Sequence, residues 1–214
     1  MSGSILARLQ GGLEATYRVA TGLPVDAFML DEAGRASLGL ARAPREQLVV
    51  VESDDGLDFG LFVDDAVLAQ LAARDPADGL DDRNLPAFLY AVEGVSHFIY
   101  AALCAQRART VSALELELQA EVDKYVTCLL SGDPGPAASA AWRRRLYDAC
   151  SFEPDLDADE RDRYRVANDN ARRYAGALER RYVARGRIAD MLVELRRFYR
   201  LPIAGKLDAI ARAA

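Results

Sequence analysis

The chain has 214 residues, 51% of them hydrophobic, so it can bury a core as one domain or as one domain with a helical appendage. Its net charge of −6 is unevenly spread: residues 1–138 carry 10 basic and 21 acidic residues, whereas residues 139–214 carry 17 basic and 12 acidic ones. The opposite signs favour either attraction between the two parts or a basic surface that meets an acidic partner.

The composition also argues against membrane and disulfide-rich classes. Glu93 and His97 interrupt the best apolar run, which leaves it short of the ~20 residues of a membrane span. The first twenty residues lack the basic region and apolar block of a secretion signal. Cys104, Cys128 and Cys150 form no C-x-x-C pair, which favours reduced, buried thiols over disulfides or a thiolate zinc site. We therefore expect a cytoplasmic protein without membrane contact.

The N-terminal part combines helix and strand signals. Apolar residues recur every three or four positions between Ile5 and Ala20, which predicts an amphipathic helix ending at Thr21–Pro24. Residues 25–30 fit either a strand or a short helix. Residues 47–53 and 57–63 are rich in β-formers and flank Asp54-Asp55-Gly56, which predicts a β-hairpin.

With Asp55-Gly56 as the loop, Leu48 would face Val63 and Val50 would face Leu61. The resulting ribbon is apolar on both sides, and an isolated two-stranded ribbon is only marginally stable in water. It therefore needs a third strand, a helical cover or a second copy of the chain.

Residues 85–130 predict a central antiparallel helical hairpin. Two apolar runs flank a short basic break at 107–110, and Ser112 with Glu115 forms a capping-box pattern that starts the second arm. The first arm is almost wholly apolar, yet it carries Glu93 and the single histidine, His97, four residues apart on one helical face.

The C-terminal part predicts an arginine-rich helical bundle. Prolines and glycines between residues 132 and 139 indicate a linker, which places an N-terminal α+β portion at 1–131 and a helical portion at 140–214. Asp157 and Glu160 begin a long helix that ends near Gly186, and two shorter helices follow. The fold class predicted for the whole chain is α+β, predominantly α-helical.

A polar cluster is the first candidate site. If the hairpin arms pack antiparallel about a turn near residue 109, the side chains that share one stripe are Glu93, His97, Glu117, Glu121 and Lys124. Carboxylates beside an imidazole suit a divalent metal or acid–base chemistry. The alternative is a hydrogen-bonded network that fixes the register of the arms. Four-helix carboxylate proteins use Glu-x-x-His twice, and this chain has Glu-x-x-x-His once, so we assign no metal.

Recognisable catalytic motifs are missing from the sequence. It contains no phosphate-binding glycine loop, no H-E-x-x-H and no G-x-S-x-G, and Cys104 lies ~10 Å of helical rise from His97, beyond hydrogen-bond reach. We therefore assign no catalytic residues and no cofactor.

An arginine-rich surface is the second candidate site. Arg-Arg-aromatic triplets recur in the C-terminal part, and they define a set of candidate partner-binding residues: Trp142, Arg143, Arg144, Arg172, Arg173, Arg180, Arg181, Arg196 and Arg197. Cations beside flat rings suit nucleic acid or an acidic protein partner. The simpler interpretation is that the tyrosines form a core stripe, which the arginines flank in water.

These observations favour a non-enzymatic adaptor or assembly subunit that works through protein–protein contacts, as a homo-oligomer. A metal or acid–base site at Glu93, His97 and Glu121 is the first alternative. Nucleic-acid binding through the arginine-rich helices is the second.

Overall fold

The computed structural model describes residues 3–39, 44–53, 56–148 and 156–213, and its fold is α+β and predominantly helical. The chain divides into two compact units. Unit 1 comprises Met1–Ala15 with Val19–Thr110, and unit 2 comprises Thr16–Arg18 with Val111–Ala214. The division falls inside the predicted hairpin, between its two arms. The domain boundary expected at the 132–139 linker stays a prediction.

Unit 1 contains four helices among its described residues, and short-range caps explain where they begin. Asp31 and Asp64 each accept a hydrogen bond from a backbone N–H of the following helix. The first helix ends because Arg18 takes a left-handed φ of 51°. The helices are α1 (Ile5–Tyr17), α2 (Glu32–Ser37), α3 (Asp65–Ala73) and α4 (Leu85–Gln106).

The sheet of unit 1 has three strands in the order β1-β3-β2. These are β1 (Met29–Leu30), β2 (Glu46–Ser53) and β3 (Gly56–Val63). The ambiguity at residues 25–30 resolves into both elements, because a 3₁₀ turn at Val25–Phe28 leads into β1. Strand β1 pairs in parallel with β3, and β2 pairs with it antiparallel.

The hairpin register differs from the predicted one by two residues. Leu48 lies opposite Leu61, and Val50 lies opposite Phe59, because Gly56 is already the first residue of β3. The connection is therefore residues 54 and 55, which lie outside the described residues. Side chains alternate between the two faces of a strand, so a shift of two preserves which residues share a face.

Helix α4 forms the core of unit 1. It packs against β2, β3 and α3, and Val92, Val95 and Phe98 are fully buried. Contrary to the expectation from Glu93 and His97, it is, in the described part of the chain, the one helix long and apolar enough to cross a membrane. However, 83% of its apolar window is buried within the protein, which is typical of the core helix of a soluble protein.

Unit 2 contains five helices among its described residues, with caps that match the sequence pattern. Ser112 accepts from the Glu115 N–H, and Asp157 and Glu160 form a complete capping box. The predicted linker is shorter than expected, because Pro136 is well suited to the first helical turn. The helices are α5 (Ala113–Leu130), α6 (Pro136–Arg143), α7 (Ala158–Arg181), α8 (Ile188–Tyr199) and α9 (Ile203–Ala213).

Helix α7 is the packing centre of unit 2. It contacts α5, α6 and α9, and its small residues Ala167, Ala171 and Ala175 are buried. Two stacked ring pairs hold α8 in place. Tyr174 stacks on Phe198, and Tyr17 stacks on Tyr199, each with ring centroids 4.0 Å apart.

Candidate functional site

The members of the predicted polar cluster belong to different units. Glu93 and His97 lie one turn apart on α4 in unit 1, whereas Glu117, Glu121 and Lys124 lie on α5 in unit 2. Any site at Glu93, His97 and Glu121 draws on both units, and it stays a prediction. The two halves of the cluster are therefore described one unit at a time.

Within unit 1, His97 has a carboxylate partner that the sequence did not indicate. Its Nδ1 lies 3.2 Å from Oε1 of Glu46, the first residue of β2, and both side chains are at most 10% exposed. Glu46 lies 51 residues from His97 along the chain. A carboxylate on one imidazole nitrogen fixes the orientation of the ring, and it forms an ion pair with the ring when the imidazole is protonated.

Gly94 allows the strand to approach α4 closely at this point. A Cβ atom at residue 94 would lie 2.7 Å from Oε2 of Glu46 and 3.1 Å from Cδ1 of Leu61. A side chain at residue 94 would therefore force the Glu46 carboxylate or the Leu61 methyl group to move, beside the pairing of His97 with Glu46. The sequence feature that could have indicated this contact is a glycine one helical turn before the single histidine of an apolar helix.

Within unit 2, the three cluster residues of α5 have partners of their own. The Nζ atom of Lys124 donates to Oε1 of Glu121 at 2.8 Å, one turn away on the same helix. Glu117 lies 4.0 Å from Nε of Arg163 on α7. These pairs neutralise part of the stripe locally, as expected for partly buried charges.

A second polar network, fully buried in unit 2, was not predicted. The Gln119 amide donates to Oδ1 of Asp123 at 2.7 Å and accepts from Nζ of Lys206. The Tyr17 hydroxyl donates to the same oxygen of Asp123. All four residues are at most 1% exposed, so a buried cation and a buried carboxylate are joined through one amide.

Aromatic rings enclose the Lys206 ammonium. Its Nζ lies 4.6 Å from the ring centroid of Phe198 and 5.8 Å from that of Tyr199, which are cation–π distances. Burial, and then the Asp123 carboxylate, raises the pKa of Tyr17 well above its ordinary value. The composition could have drawn attention to Lys206, because Lys124 and Lys206 are the only lysines among the 27 basic residues of the sequence.

A third network joins α5, α6 and α7. The hydroxyls of Tyr125 and Ser139 lie 2.7 Å apart, and Ser139 donates to Oε2 of Glu179 at 2.5 Å. Arg143 donates to the other oxygen of Glu179 at 3.0 Å. Burial raises the pKa of Tyr125 to about 12. A side chain assigned to partner binding, Arg143, thus also stabilises the helix packing.

Several other predicted partner-binding arginines make contacts within unit 2. Arg180 and Arg181 donate to carbonyls of α9, and Arg196 donates to the Thr16 carbonyl at 2.9 Å. Arg172 pairs with Asp148 at 2.9 Å. Trp142 is half-buried, with Arg145 6.0 Å from the centre of its ring, and the remaining members are exposed: Arg144, Arg173 and Arg197. Partner binding by this set stays a prediction.

Comparison with known proteins provides no family for these sites. The chain matches no protein-family model, and no curated protein and no solved structure is significantly similar to it.

Proposed function

We propose that this protein is a non-enzymatic assembly subunit or adaptor that acts through protein–protein contacts and self-associates through β2. The observation that carries the proposal is the position of β2 at the edge of the sheet, where its described residues pair with β3 alone. An edge strand presents a row of backbone hydrogen-bonding groups to which another strand can add.

The hydrogen-bond pattern identifies the backbone groups on the open edge. The Asp64 N–H donates to the Arg45 carbonyl at 2.9 Å, so odd-numbered residues of β2 direct their N–H and C=O groups towards β3. The backbone groups of Leu48, Val50 and Glu52 therefore point away from β3. The pairing continues for eight residues without a bulge, so the edge is long and regular.

The outer end of the ribbon is also apolar and exposed. Val50 and Val51 are 45% and 46% exposed on opposite faces, and Leu57 on β3 is 45% exposed. Neither lysine nor proline occurs between Glu46 and Ser53, and the pairing with β3 contains no bulge, so acidic side chains are what opposes strand addition at this edge. Pairing with a second copy would bury this surface, which supports the expected homo-oligomer.

The ribbon charge gives the proposed dimer an unusual salt dependence. From Glu46 to Val63 the sequence carries five acidic residues and no basic ones, so two paired ribbons repel each other. Added salt screens that repulsion, and we expect the dimer to strengthen as salt rises. We also propose a cytoplasmic location, which the buried free thiols of Cys104 and Cys128 support.

Light scattering after size exclusion over a range of concentrations tests the proposal. The wild-type chain should form a dimer, and Val50→Glu should be monomeric because it adds a negative charge beside the open edge of an already acidic ribbon. Val193→Glu on α8 is the matched control, since Val193 is 62% exposed and lies outside the ribbon. A wild-type chain that stays monomeric at several hundred micromolar, or a control as disruptive as Val50→Glu, would refute the β2 interface.

A further inference from the structure

Unit 1 contains an open pocket of about 400 Å³ away from the β2 edge. The first turn of α1, strand β1 and the start of α3 form its walls. Its floor is apolar and includes Leu6, Leu30 and Val63. A pocket of this volume accommodates a few side chains or a small organic group.

Three carboxylates surround the apolar floor. Asp31 is the N-cap of α2, Asp26 accepts from the Ser4 hydroxyl at 2.5 Å, and Asp65 follows the N-cap of α3. All three aspartates are exposed, and no basic residue lines the pocket among the described residues. The rim therefore attracts cations and repels phosphate and carboxylate groups.

The charge around the pocket extends over the whole unit. Unit 1 has 16 acidic and 8 basic residues, a net charge of −8, whereas unit 2 has 17 acidic and 19 basic residues, a net charge of +2. A field of this extent favours a ligand with several positive charges over a single small cation. The apolar floor requires in addition an aliphatic or aromatic group between those charges.

We propose that this pocket binds a basic, partly apolar peptide segment of a partner protein. An apolar side chain of the segment occupies the floor, and neighbouring lysine or arginine side chains pair with Asp26, Asp31 and Asp65. The pocket is distinct from the β2 edge, so this inference does not depend on the proposed dimer. Together the two surfaces would let one chain self-associate and hold a second protein.

Fluorescence anisotropy with three labelled peptides tests the pocket. The probe is acetyl-Leu-Lys-Leu-Lys-Leu-amide, compared with the same peptide carrying serine or glutamate in place of lysine. The lysine peptide should bind and should weaken as salt rises, which is the opposite of the salt dependence of the dimer. Equal binding of the serine peptide, or no binding of the lysine peptide at millimolar concentration, would overturn the proposal.

Paired variants locate the binding. Asp26→Asn with Asp65→Asn retains both helix caps and should weaken the lysine peptide about fivefold, as expected for two exposed ion pairs. Asp58→Asn with Asp78→Asn removes the same charge from exposed positions outside the pocket and should change binding less than twofold. An equal effect of the two pairs would refute the assigned pocket.

A repeat on the Val50→Glu background separates the two proposals. Peptide binding by the monomeric variant would support the pocket proposal, whether or not the wild-type chain dimerises through β2. Calcium is the remaining competitor for three carboxylates, so the titration is repeated with CaCl₂ alone. Saturable calcium binding that the Asp26→Asn, Asp65→Asn pair abolishes, without any peptide binding, would replace the peptide with a metal.

Discussion

Lys206→Met tests whether the Asp123 carboxylate depends on a buried cation. The methionine side chain is one heavy atom shorter and apolar, so it fills most of the same space between Phe198 and Tyr199, but it leaves Asp123 with the neutral donors Tyr17 and Gln119 only among the partners described above. Leaving one buried charge uncompensated typically costs about 3–5 kcal/mol. Asp123→Asn leaves the Lys206 ammonium instead, so we expect a loss of similar size.

The double variant measures the coupling between the two charges. It contains no buried charge in this network, so its loss of unfolding free energy should be smaller than the sum of the single losses by about 1–3 kcal/mol. Urea unfolding followed by Trp142 fluorescence is the assay, because the single tryptophan lies in unit 2. If a single variant does not fold but the double variant does, this outcome also demonstrates coupling between the two charges.

An exposed pair provides the control for this cycle. Arg165 and Asp162 form an ion pair at 2.6 Å on α7, with both side chains more than half exposed, and Asp162→Asn should cost less than about 1 kcal/mol. Losses that add to within about 0.5 kcal/mol in the Lys206 and Asp123 cycle would refute the charge linkage through Gln119.

Three further predictions concern single positions. Gly94→Ala should reduce the free energy of unfolding by about 1–2 kcal/mol, because its Cβ meets Glu46 and Leu61. Gly11→Ala, whose Cβ meets nothing within 4 Å, should increase the free energy of unfolding by about 0.5–1 kcal/mol. Equal changes for the two variants, in urea unfolding followed by circular dichroism, would contradict the close approach at Gly94. Burial raises the pKa of Tyr125 to about 12, so the unfolded state loses this proton first and stability should fall between pH 10 and 12, by up to about 3 kcal/mol. Denaturation midpoints are compared from pH 9 to 11, and a fall of the same size in Tyr125→Phe would exclude Tyr125 as its source. Burial also raises the pKa of the Cys128 thiol to about 12, so Cys128 should resist Ellman's reagent at pH 8 until urea unfolds the protein. Rapid labelling of the native chain, assigned to Cys128 by mass spectrometry, would contradict the burial of this thiol.

Helix starts were predictable because their determinants lie within a few residues. The Ser112 cap and the Asp157–Glu160 capping box each depend on local backbone geometry. The predicted end of the long helix near Gly186 was wrong, because α7 ends at Arg181 and the left-handed Gly186 closes a separate 3₁₀ turn, Val183–Arg185. The β-ribbon was predictable for the same reason as the helix starts, but its register was not. Asp55-Gly56 and Asp54-Asp55 are both short enough to serve as the loop, and both keep the apolar residues on the same faces.

The side-chain networks depend on contacts between residues far apart in the sequence, which the pattern within a short segment does not predict. Glu46 contacts His97 across 51 residues of sequence, and Lys206 on α9 contacts Gln119 on α5 across 87 residues. The predicted cluster relied on one alignment of two helical arms, and the packing assigns those arms to different units. Sequence spacing identified polar residues in apolar helices, but it did not indicate Glu46 as a partner of His97 or Lys206 as a partner of Gln119. The predicted cluster itself stays a prediction.

The scarcity of lysine has a practical consequence for binding studies. Both lysine side chains lie in unit 2, and Lys206 is fully buried. Amine-reactive dyes and coupling reagents therefore have one accessible lysine target in the native fold, Lys124, whose side chain is only 12% exposed. Attachment through lysine therefore leaves the acidic pocket and the ribbon edge chemically unmodified. Surface immobilisation or cross-linking of this protein needs an engineered handle, and its position can be chosen to leave either surface open.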